Sequence, residues 1–425
     1  MQIETIYQLY LQYPSIQTDT RKLKEGDLFF ALKGPQFNGN QFALQALEAG
    51  AAYAIVDEVV AANNDRILVV NDVLTTLQAL ALHHRQQFTI PFIAITGSNG
   101  KTTTKELLHE VLRTTYKTYT TIGNLNNHIG IPLTILSIKK DAEIAVIEMG
   151  ANHQQEIASY CQYALPTHGI INNCGKAHLE GFGGVEGVRK GKGELYDFLR
   201  SNEGTAFVMW DYDYLQTMSA GIPHLFTYGT HDATVTGIVK DSSGLLEVEM
   251  QAGTQIGIIK TKLVGAYNLP NVLVAVTVGK YFKVPEEKIK SALEQYTPDN
   301  SRSQLISKGT NKIILDAYNA NPSSMTAAIE NFAKMDGQDK VLLLGGMMEL
   351  GEESLQEHAA ILEVIGKYNW KAVVLVGGDY SKIQHSYINF NNSVEAKDWL
   401  AAQQFEHTQL LVKGSRSMKM ELVCA

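Results

Sequence analysis

Cysteine is scarce in this chain. The three present, Cys161, Cys174 and Cys424, fall in no CxxC or zinc-ligand spacing. So sparse and odd a set excludes a disulfide framework and suits a reducing compartment, where a thiol acts as a small hydrophobe. Long apolar runs are missing too. The longest, such as NVLVAVTV (271–278), fall far short of the ~20 residues of a membrane helix. The opening MQIETIYQLY has no basic stretch followed by an apolar one, so a signal peptide is not expected. Positive charge is not in excess: 36 basic against 44 acidic residues leave −8, which removes any general pull on nucleic acid or anionic membrane. An anionic ligand must therefore be held by local basic residues and helix N-termini. Fixed-period repeats and low-complexity tracts are also absent. The glycine pairs at 345–346 and 377–378 do not make the GxGxxG of dinucleotide folds. What is left is a cytoplasmic globular protein, in keeping with 45% apolar and 19% charged residues. Its 425 residues suffice for two or three domains.

Short apolar runs alternate with helical patterns, which predicts α/β layers. DLFFAL (27–32), YAIVDE (53–58) and ILVVN (67–71) read as strands, with a helix in NQFALQALEAGA. A second segment starts with the strand FIAITG and includes AEIAVIEMG (142–150) and HGIINNC (168–174). Beyond Trp210 the texture changes. TVTGIVK, LLEVEM and GIIKTKL alternate apolar and polar residues between Gly and Ser turns, as antiparallel strands do. A helical stretch near 270–282 closes this segment. YTPDNSR (296–302) is a cluster of turn formers, and a boundary is placed there. Beyond it, KIILDAY, KVLLLGG, AVVLVGG and QLLVKG alternate with helical stretches, as in a small doubly wound domain. Three α/β domains are expected, at 1–88, 89–297 and 298–425.

The chemistry concentrates in a few stretches. ITGSNGKTTTKELL (95–108) ends a strand and opens a helix, so loop N–H groups and the positive helix end converge on one point. The usual phosphate loop is GxxxxGK[ST], but here only Ser98 and Asn99 separate Gly97 from Gly100, and Ile95 stands where the first glycine belongs. Lys101 can reach terminal phosphates and the Thr102 hydroxyl can sit on Mg²⁺. The plainer alternative is a strand-to-helix turn with an exposed lysine. Glu148, in AVIEMGA (145–151), lies at a strand's carboxyl end, where ligands bind in open α/β sheets. There it can hold a metal, or merely an ion pair. His178, in NNCGKAHLEGFGG, and Lys192, in RKGKGELYDF, carry no argument alone. Nor do the amides of TTIGNLNNHIGIPLTILS (120–137), which suit a turn as well as a substrate platform. In the third segment, DAYNANPSSM places Asp316 and Asn319 at a strand end, while VKGSRSMKM offers Lys413, Arg416 and Lys419.

Together these stretches resemble the Mur ligases, whose nucleotide loop has the shortened form GTNGKT[TS], matched here by GSNGKTTTK. GNLNNHIGIPLTIL, EMGANHQQEI, AHLEGFGG, DAYNANPSSM, GGMMELGEES and LVKGSRSM are similar to the branch that adds D-alanyl-D-alanine to UDP-N-acetylmuramoyl-tripeptide. DTRKLKEGDLFFALKG resembles its uridine-nucleotide domain. The resemblance implies a UDP-sugar domain, a central ATP-binding domain built on a mostly parallel P-loop-type sheet with added antiparallel strands, and a C-terminal Rossmann-like domain. It implies activation of a carboxylate by ATP to an acyl phosphate, which an amine then attacks to give an amide. Gly97, Ser98, Asn99, Gly100, Lys101, Thr102 and Thr103 would take the phosphates of ATP. Thr102 and Glu148 would hold one Mg²⁺, and His178 and a carbamylated Lys192 a second. A carbamate turns that lysine from cation to anion, so it could ligate rather than repel a metal. Lys101, Lys192, His178 and Glu148 would form the catalytic set. Asn268 and Asn271 match adenine-side positions, and Arg302 and Asp316 those reaching phosphate and ribose. Thr20, Arg21, Asn38 and Asn40 would meet the UDP-sugar. Asn126 and Asn127 would face substrate, and Asn319, Asn321, Lys413 and Ser415 the D-alanyl-D-alanine. A monomer with no nucleic-acid or integral membrane partner is implied.

The chain departs from the family pattern in three places. Thr20 replaces a serine as hydroxyl donor, Gln155 stands where glycine is usual, and Tyr267 where histidine is common. Rival readings remain open. Another Mur-type ligase adding a different amino acid is disfavoured by GGMMELGEES, which stands where diaminopimelate-adding relatives carry DNPR. A folylpolyglutamate synthase would lack residues like 18–60. A P-loop switch protein would keep the usual loop spacing, and a non-catalytic UDP-sugar binder would not need Lys101, Glu148, His178 and Lys192 together.

Overall fold

The computed structural model describes residues 2–59, 64–299 and 301–424; Asn300, inside the expected boundary segment, lies outside the described residues. The chain divides into two compact units. The first comprises Met1–Ala94, Tyr116–Gly150 and Glu156–His168, and the second Ile95–Thr115, Ala151–Gln155 and Gly169–Ala425.

In the first unit, strands Ile16–Gln17, Leu28–Phe30, Tyr53–Val56 and Ile67–Val69 form a parallel sheet in that order. The three longer ones fall inside the runs that predict them. Helix Ala43–Glu48 buries Ala43, Ala46 and Leu47 against Phe29, Ala54 and Val56 of this sheet. Helix Val73–Arg85 follows, N-capped by the Asp72 carboxylate, which accepts from Thr75 N at 2.6 Å. Its last residue, Arg85, is buried and donates to the Ala164 and Leu165 carbonyls at 2.9 Å. That supplies partners for the last carbonyls of helix Glu156–Ala164. Burial pushes the Arg85 guanidinium down to about 10. Further strands of this unit, Phe92–Thr96, Ile144–Glu148 and Thr118–Thr120, follow one another in that order, the last two parallel. Phe92–Thr96 passes at its end into the second unit. Each is wholly or largely apolar in sequence except the short edge Thr118–Thr120, as strands covered on both faces require.

In the second unit the strand order is Ile258–Val264, Leu245–Ala252, Val235–Asp241, His224–Gly229, Thr205–Met209 and His168–Ile171, the last from its second residue onward. The first three pair antiparallel; Ile258–Val264 and Leu245–Ala252 alternate in burial, as their alternation in sequence predicts, while Val235–Asp241 buries its first three residues in a row. Helix Leu269–Tyr281 is apolar on every side and buries ten residues, the mark of a helix enclosed by protein. Residues 304–413 form a separate six-stranded sheet in the order Gln304–Lys308, Asn311–Asp316, Gln409–Lys413, Lys340–Gly345, Ala372–Val376 and Ile388–Phe390. Its four central strands are the expected ones and run parallel. Two edges lie beyond the sequence reading: antiparallel Gln304–Lys308 and short parallel Ile388–Phe390. Both are polar or mostly exposed, so they carry little apolar signal. Among the described residues no helix is long and apolar enough to cross a membrane.

Burial sets the pH response of this fold. His168 is enclosed, and desolvation pushes its imidazole from 6.5 down to about 4; burial lowers His84, His109 and His358 in the same sense. A histidine held neutral in the folded state gives stability that is complete above about pH 6.5 and is lost towards pH 4, because the unfolded chain takes up the proton first. For His168 alone the loss is about 3 kcal/mol. Urea unfolding of a His168→Gln variant should therefore show a shallower decline between pH 7 and pH 4.5 than the wild type.

Candidate active site

The strand Phe92–Thr96 and the helix Lys101–Leu112 are joined by four residues, so the shortened loop is tightly turned. Gly97 and Gly100 have φ of +142° and +81°, a region that costs any residue with a Cβ. Space is short as well. A Cβ on Gly100 would lie 2.6 Å from Asn271 Oδ1 and 2.9 Å from Asn172 Nδ2. The loop is held from the next strand's exit: Ser98 N donates to Asn173 O at 2.9 Å, Asn99 N to Asn173 Oδ1 at 3.0 Å, and Ser98 Oγ to Gly175 O at 2.9 Å. Lys101 folds back over the loop, its ammonium 2.7 Å from Gly97 O. Thr102 is buried, and Thr103 follows it in the first helical turn, where N–H groups have no intrahelical acceptor.

Behind the loop lies a network of buried amides. Asn172 Nδ2 donates to Thr104 Oγ1 at 2.8 Å and to Asn271 Oδ1 at 3.3 Å, and Thr104 Oγ1 donates to the same oxygen at 3.1 Å. Asn271 Nδ2 donates to Asn268 Oδ1 at 2.8 Å. Asn268 in turn donates to Val264 O at 2.9 Å and reaches Ser303 Oγ at 3.5 Å. Ser303 Oγ also meets Tyr267 OH at 3.1 Å, and Ser303 N donates to Asp316 Oδ1 at 3.1 Å. Burial, reinforced by the charge of Asp316, pushes the Tyr267 phenol well up. The other oxygen of Asp316 accepts from the buried Lys413 ammonium at 2.6 Å. Lys413 also reaches Asn319 O at 3.3 Å. Ser415 Oγ donates to Ala320 O at 3.2 Å and accepts from Met348 N at 3.0 Å. The Asn99 and Asn321 amides meet reciprocally at 2.7 and 3.5 Å, and Asn321 also caps helix Pro322–Lys334. Arg302 lies over the Tyr318 ring, 3.6 Å from its centroid. Asn172, Asn173 and Ser303 were not singled out by sequence. An amide or hydroxyl in a polar loop looks the same whether it is buried or not.

The glycine-rich loop after Asn173 carries His178, in the left-handed region at φ +54°. Its Nδ1 is paired with the Glu349 carboxylate, and this bond holds that carboxyl below its usual range. Lys176 pairs with Glu357 at 2.5 Å. Neither Glu349, in GGMMELGEES, nor Glu357 stood out in sequence, because an acidic residue on a loop or helix is usually solvated. Lys192 is buried in helix Val185–Ser201. Its Nζ donates to Ala151 O at 2.9 Å and stands 4.9 Å from the Phe182 ring centroid. Gly191 permits that approach, since a Cβ there would lie 2.4 Å from Phe182. Among the described residues no group of three or more His, Cys, Asp or Glu side chains converges as a metal cage would.

In the first unit, Glu148 is buried at its strand end and accepts from Asn126 Nδ2 at 2.7 Å. Asn127 Oδ1 accepts from Ile129 N and Gly130 N at 3.1 and 2.9 Å, which steadies the start of helix Gly130–Leu136. Thr20 opens a short 3₁₀ turn and Arg21 is exposed, forked onto Asp19 at 2.7 and 2.8 Å. Asn38 bonds the Glu58 carboxylate at 2.9 Å, while Asn40 is buried and bonds Asp57 through both ends of its amide. Burial alone would raise the Asp57 carboxyl, but Lys33, Asn40 and the Val73 N–H outweigh it and hold it below its usual range.

Known proteins share this arrangement. Residues 12–85 match the model of the Mur ligase family catalytic domain, 95–279 the Mur ligase middle domain and 301–416 the Mur ligase glutamate ligase domain. The UDP-N-acetylmuramoyl-tripeptide–D-alanyl-D-alanine ligase of Bacillus subtilis is 34% identical, over 96% of this chain and 91% of that protein. The chain belongs to the Mur ligase family. The enzyme of the same name from Escherichia coli is 36% identical over 96% and 92%. Among solved structures, the MurF ligase of Thermotoga maritima in complex with ADP superposes with a TM-score of 0.87 at 28% identity, covering 97% of each chain. The family's three-part α/β architecture, with a mostly parallel P-loop-type sheet and a Rossmann-like C-terminal sheet, is the one expected from sequence.

Gly100 is the position where the loop tolerates least. Gly100→Ala should cost about 1–3 kcal/mol of stability through its left-handed backbone and displace the Asn271 and Asn172 amides. Thermal unfolding and a nucleotide titration check this: a lower midpoint and weakened ATP binding are expected together.

Proposed function

We propose that this Mur ligase joins D-alanyl-D-alanine to UDP-N-acetylmuramoyl-tripeptide, in the cytoplasm and as a monomer, with ATP activating the tripeptide's terminal carboxylate as an acyl phosphate. The observation that carries the reading is the tight Gly97–Thr103 loop, tied through buried amides to Ser303 and Asp316 in one folding unit. Near-full-length similarity to relatives bearing that name supports it. The loop, the first helical turn and Lys101 would bind the phosphates of ATP. Asn268, Asn271, Arg302 and Asp316 would hold the rest of the nucleotide. Thr20, Arg21, Asn38 and Asn40 would meet the UDP-sugar, Asn126 and Asn127 would face substrate, and Asn319, Asn321, Lys413 and Ser415 would meet the incoming dipeptide. With the reactants so placed, most of the acceleration would come from orientation and charge neutralisation.

His178 and a carbamylated Lys192 are the proposed side chains for one Mg²⁺, and Thr102 and Glu148 those for another. A hydroxyl and a buried carboxylate fit that ion, which keeps several waters and needs only one or two protein carboxylates beside the phosphates. When bound, it would neutralise phosphate charge. Lys192 fits carbamylation in one respect: its amine is buried, where an ammonium forgoes most of its hydration.

Phosphate release from ATP should require both UDP-N-acetylmuramoyl-tripeptide and D-alanyl-D-alanine; release without either, or dependence on a different amino acid, would exclude this reaction. Lys192→Ala should lose nearly all turnover and regain part of it with a small carboxylate such as formate. Full activity of the variant without rescue would refute the carbamate.

A further inference from the structure

Two arginines of the second unit share one aromatic ring. The Arg302 guanidinium lies 3.6 Å from the Tyr318 ring centroid and that of Arg416 4.8 Å from it. The ring's negative face attracts each cation, but the cations repel one another, and an anion bound between them would relieve that repulsion. Among the described residues neither arginine has a carboxylate within salt-bridge distance. Asp316, two residues before Tyr318, has one oxygen on Lys413 and the other on Ser303 N. Arg302 Nε is buried without a hydrogen-bond partner, which is costly for a guanidinium unless a ligand completes it.

The pair is held in place. Tyr318 N donates to Ser301 O at 3.2 Å. Ser301 and Ser303, on either side of Arg302, both have left-handed φ, +56° and +48°, and Ser303 is fastened through Tyr267 and Asn268. Tyr318 and Arg416 follow neighbouring parallel strands whose ends register Asp316 against Lys413. Both therefore stand at the carboxyl edge of the sheet, where α/β folds bind ligands.

We propose that Arg302, Tyr318 and Arg416 form a two-arginine clamp for an oxyanion of the reacting complex, with Arg416 its previously unassigned arm. A guanidinium presents paired donors to a planar carboxylate or a phosphoryl group alike. The anion is thus either the phosphoryl group of the nucleotide or the free carboxylate of the incoming dipeptide. The assignment rests on the proposed reaction for its two candidate anions, so its test does not rely on turnover.

Calorimetry measures the binding of ATP, and of D-alanyl-D-alanine in the presence of ADP, to wild type, Arg416→Ala and Arg416→Lys. Arg416 is exposed, so the variants should keep the wild-type thermal midpoint. Arg416→Ala should weaken one ligand about tenfold, as loss of a charged hydrogen bond does, and Arg416→Lys should restore only part of it. Loss on the ATP arm identifies the phosphoryl group, and loss on the dipeptide arm the carboxylate. Unchanged affinity for both, or wild-type protein that binds neither, overturns the clamp. Wild-type protein that binds but does not turn over, with affinity still lost in Arg416→Ala, would overturn the proposed reaction and leave the clamp standing.

Discussion

The second unit depends on one buried contact, the meeting of Asn172, Thr104 and Asn271 behind the glycine loop. Three polar side chains from a strand exit and two helices share a pair of acceptor oxygens within 3.3 Å. Away from water, each unpaired donor here would cost about 1–3 kcal/mol, so the three elements have little freedom to separate or rotate. Gly97 and Gly100 leave room for this cluster. In turn the cluster fixes where the first turn of helix Lys101–Leu112 points, and so where an anion could meet its N–H groups. The shortened spacing between the glycines is part of the same constraint, since a longer loop would not need to lie against Asn172 and Asn173.

From that contact the bonds run onward through Asn268 and Ser303 to Asp316 and Lys413. Tyr267, one of the chain's departures from the family pattern, lies in this path. Its hydroxyl reaches Ser303 Oγ, and the enclosed phenol stays neutral because burial raises it. The substitution therefore keeps a polar link between the helix Leu269–Tyr281 region and residue 303 without adding a titrating group. Because Ser303 is also bonded to Asp316, the segment 301–303 is held at both ends. Such a path couples the loop to the third sheet by position, whatever occupies the loop.

The sequence revealed most where chemistry and periodicity coincide. Strand ends at Thr96, Glu148 and Asp316, the helix start at Lys101 and the four parallel strands beyond 311 were all legible, because apolar runs bounded by Gly, Pro and Asn have few alternative readings. Pairing between distant polar residues was not legible. His178 and Glu349 are separated by most of the second unit's chain, and nothing local in AHLEGFGG or GGMMELGEES says they meet. Asn40 and Asn127 show the same limit from the other side. Their bonds in the structure go to Asp57 and to the N–H groups of Ile129 and Gly130, roles that an Asn in a turn commonly takes. Amide side chains serve turns, caps and ligands by the same donors and acceptors, so composition cannot separate these uses.

The overall charge of −8 gives the molecule no long-range attraction for nucleotides, and the structure answers this locally. Lys101 is turned onto its own loop, Lys413 is buried against Asp316, and Arg302 is stacked on Tyr318. Each cation is held by a short, specific contact instead of being left solvated. A cation fixed in this way loses less rotamer entropy when an anion arrives and is less screened by salt than a mobile surface lysine. Lys192 marks the extreme of the series: enclosed between Ala151 O and the Phe182 ring, it has too little water around it to serve as a simple surface charge. An acidic protein can bind polyanions in this manner because a handful of pre-placed cations, each already stripped of part of its hydration, outweighs a diffuse surplus of carboxylates several Debye lengths away.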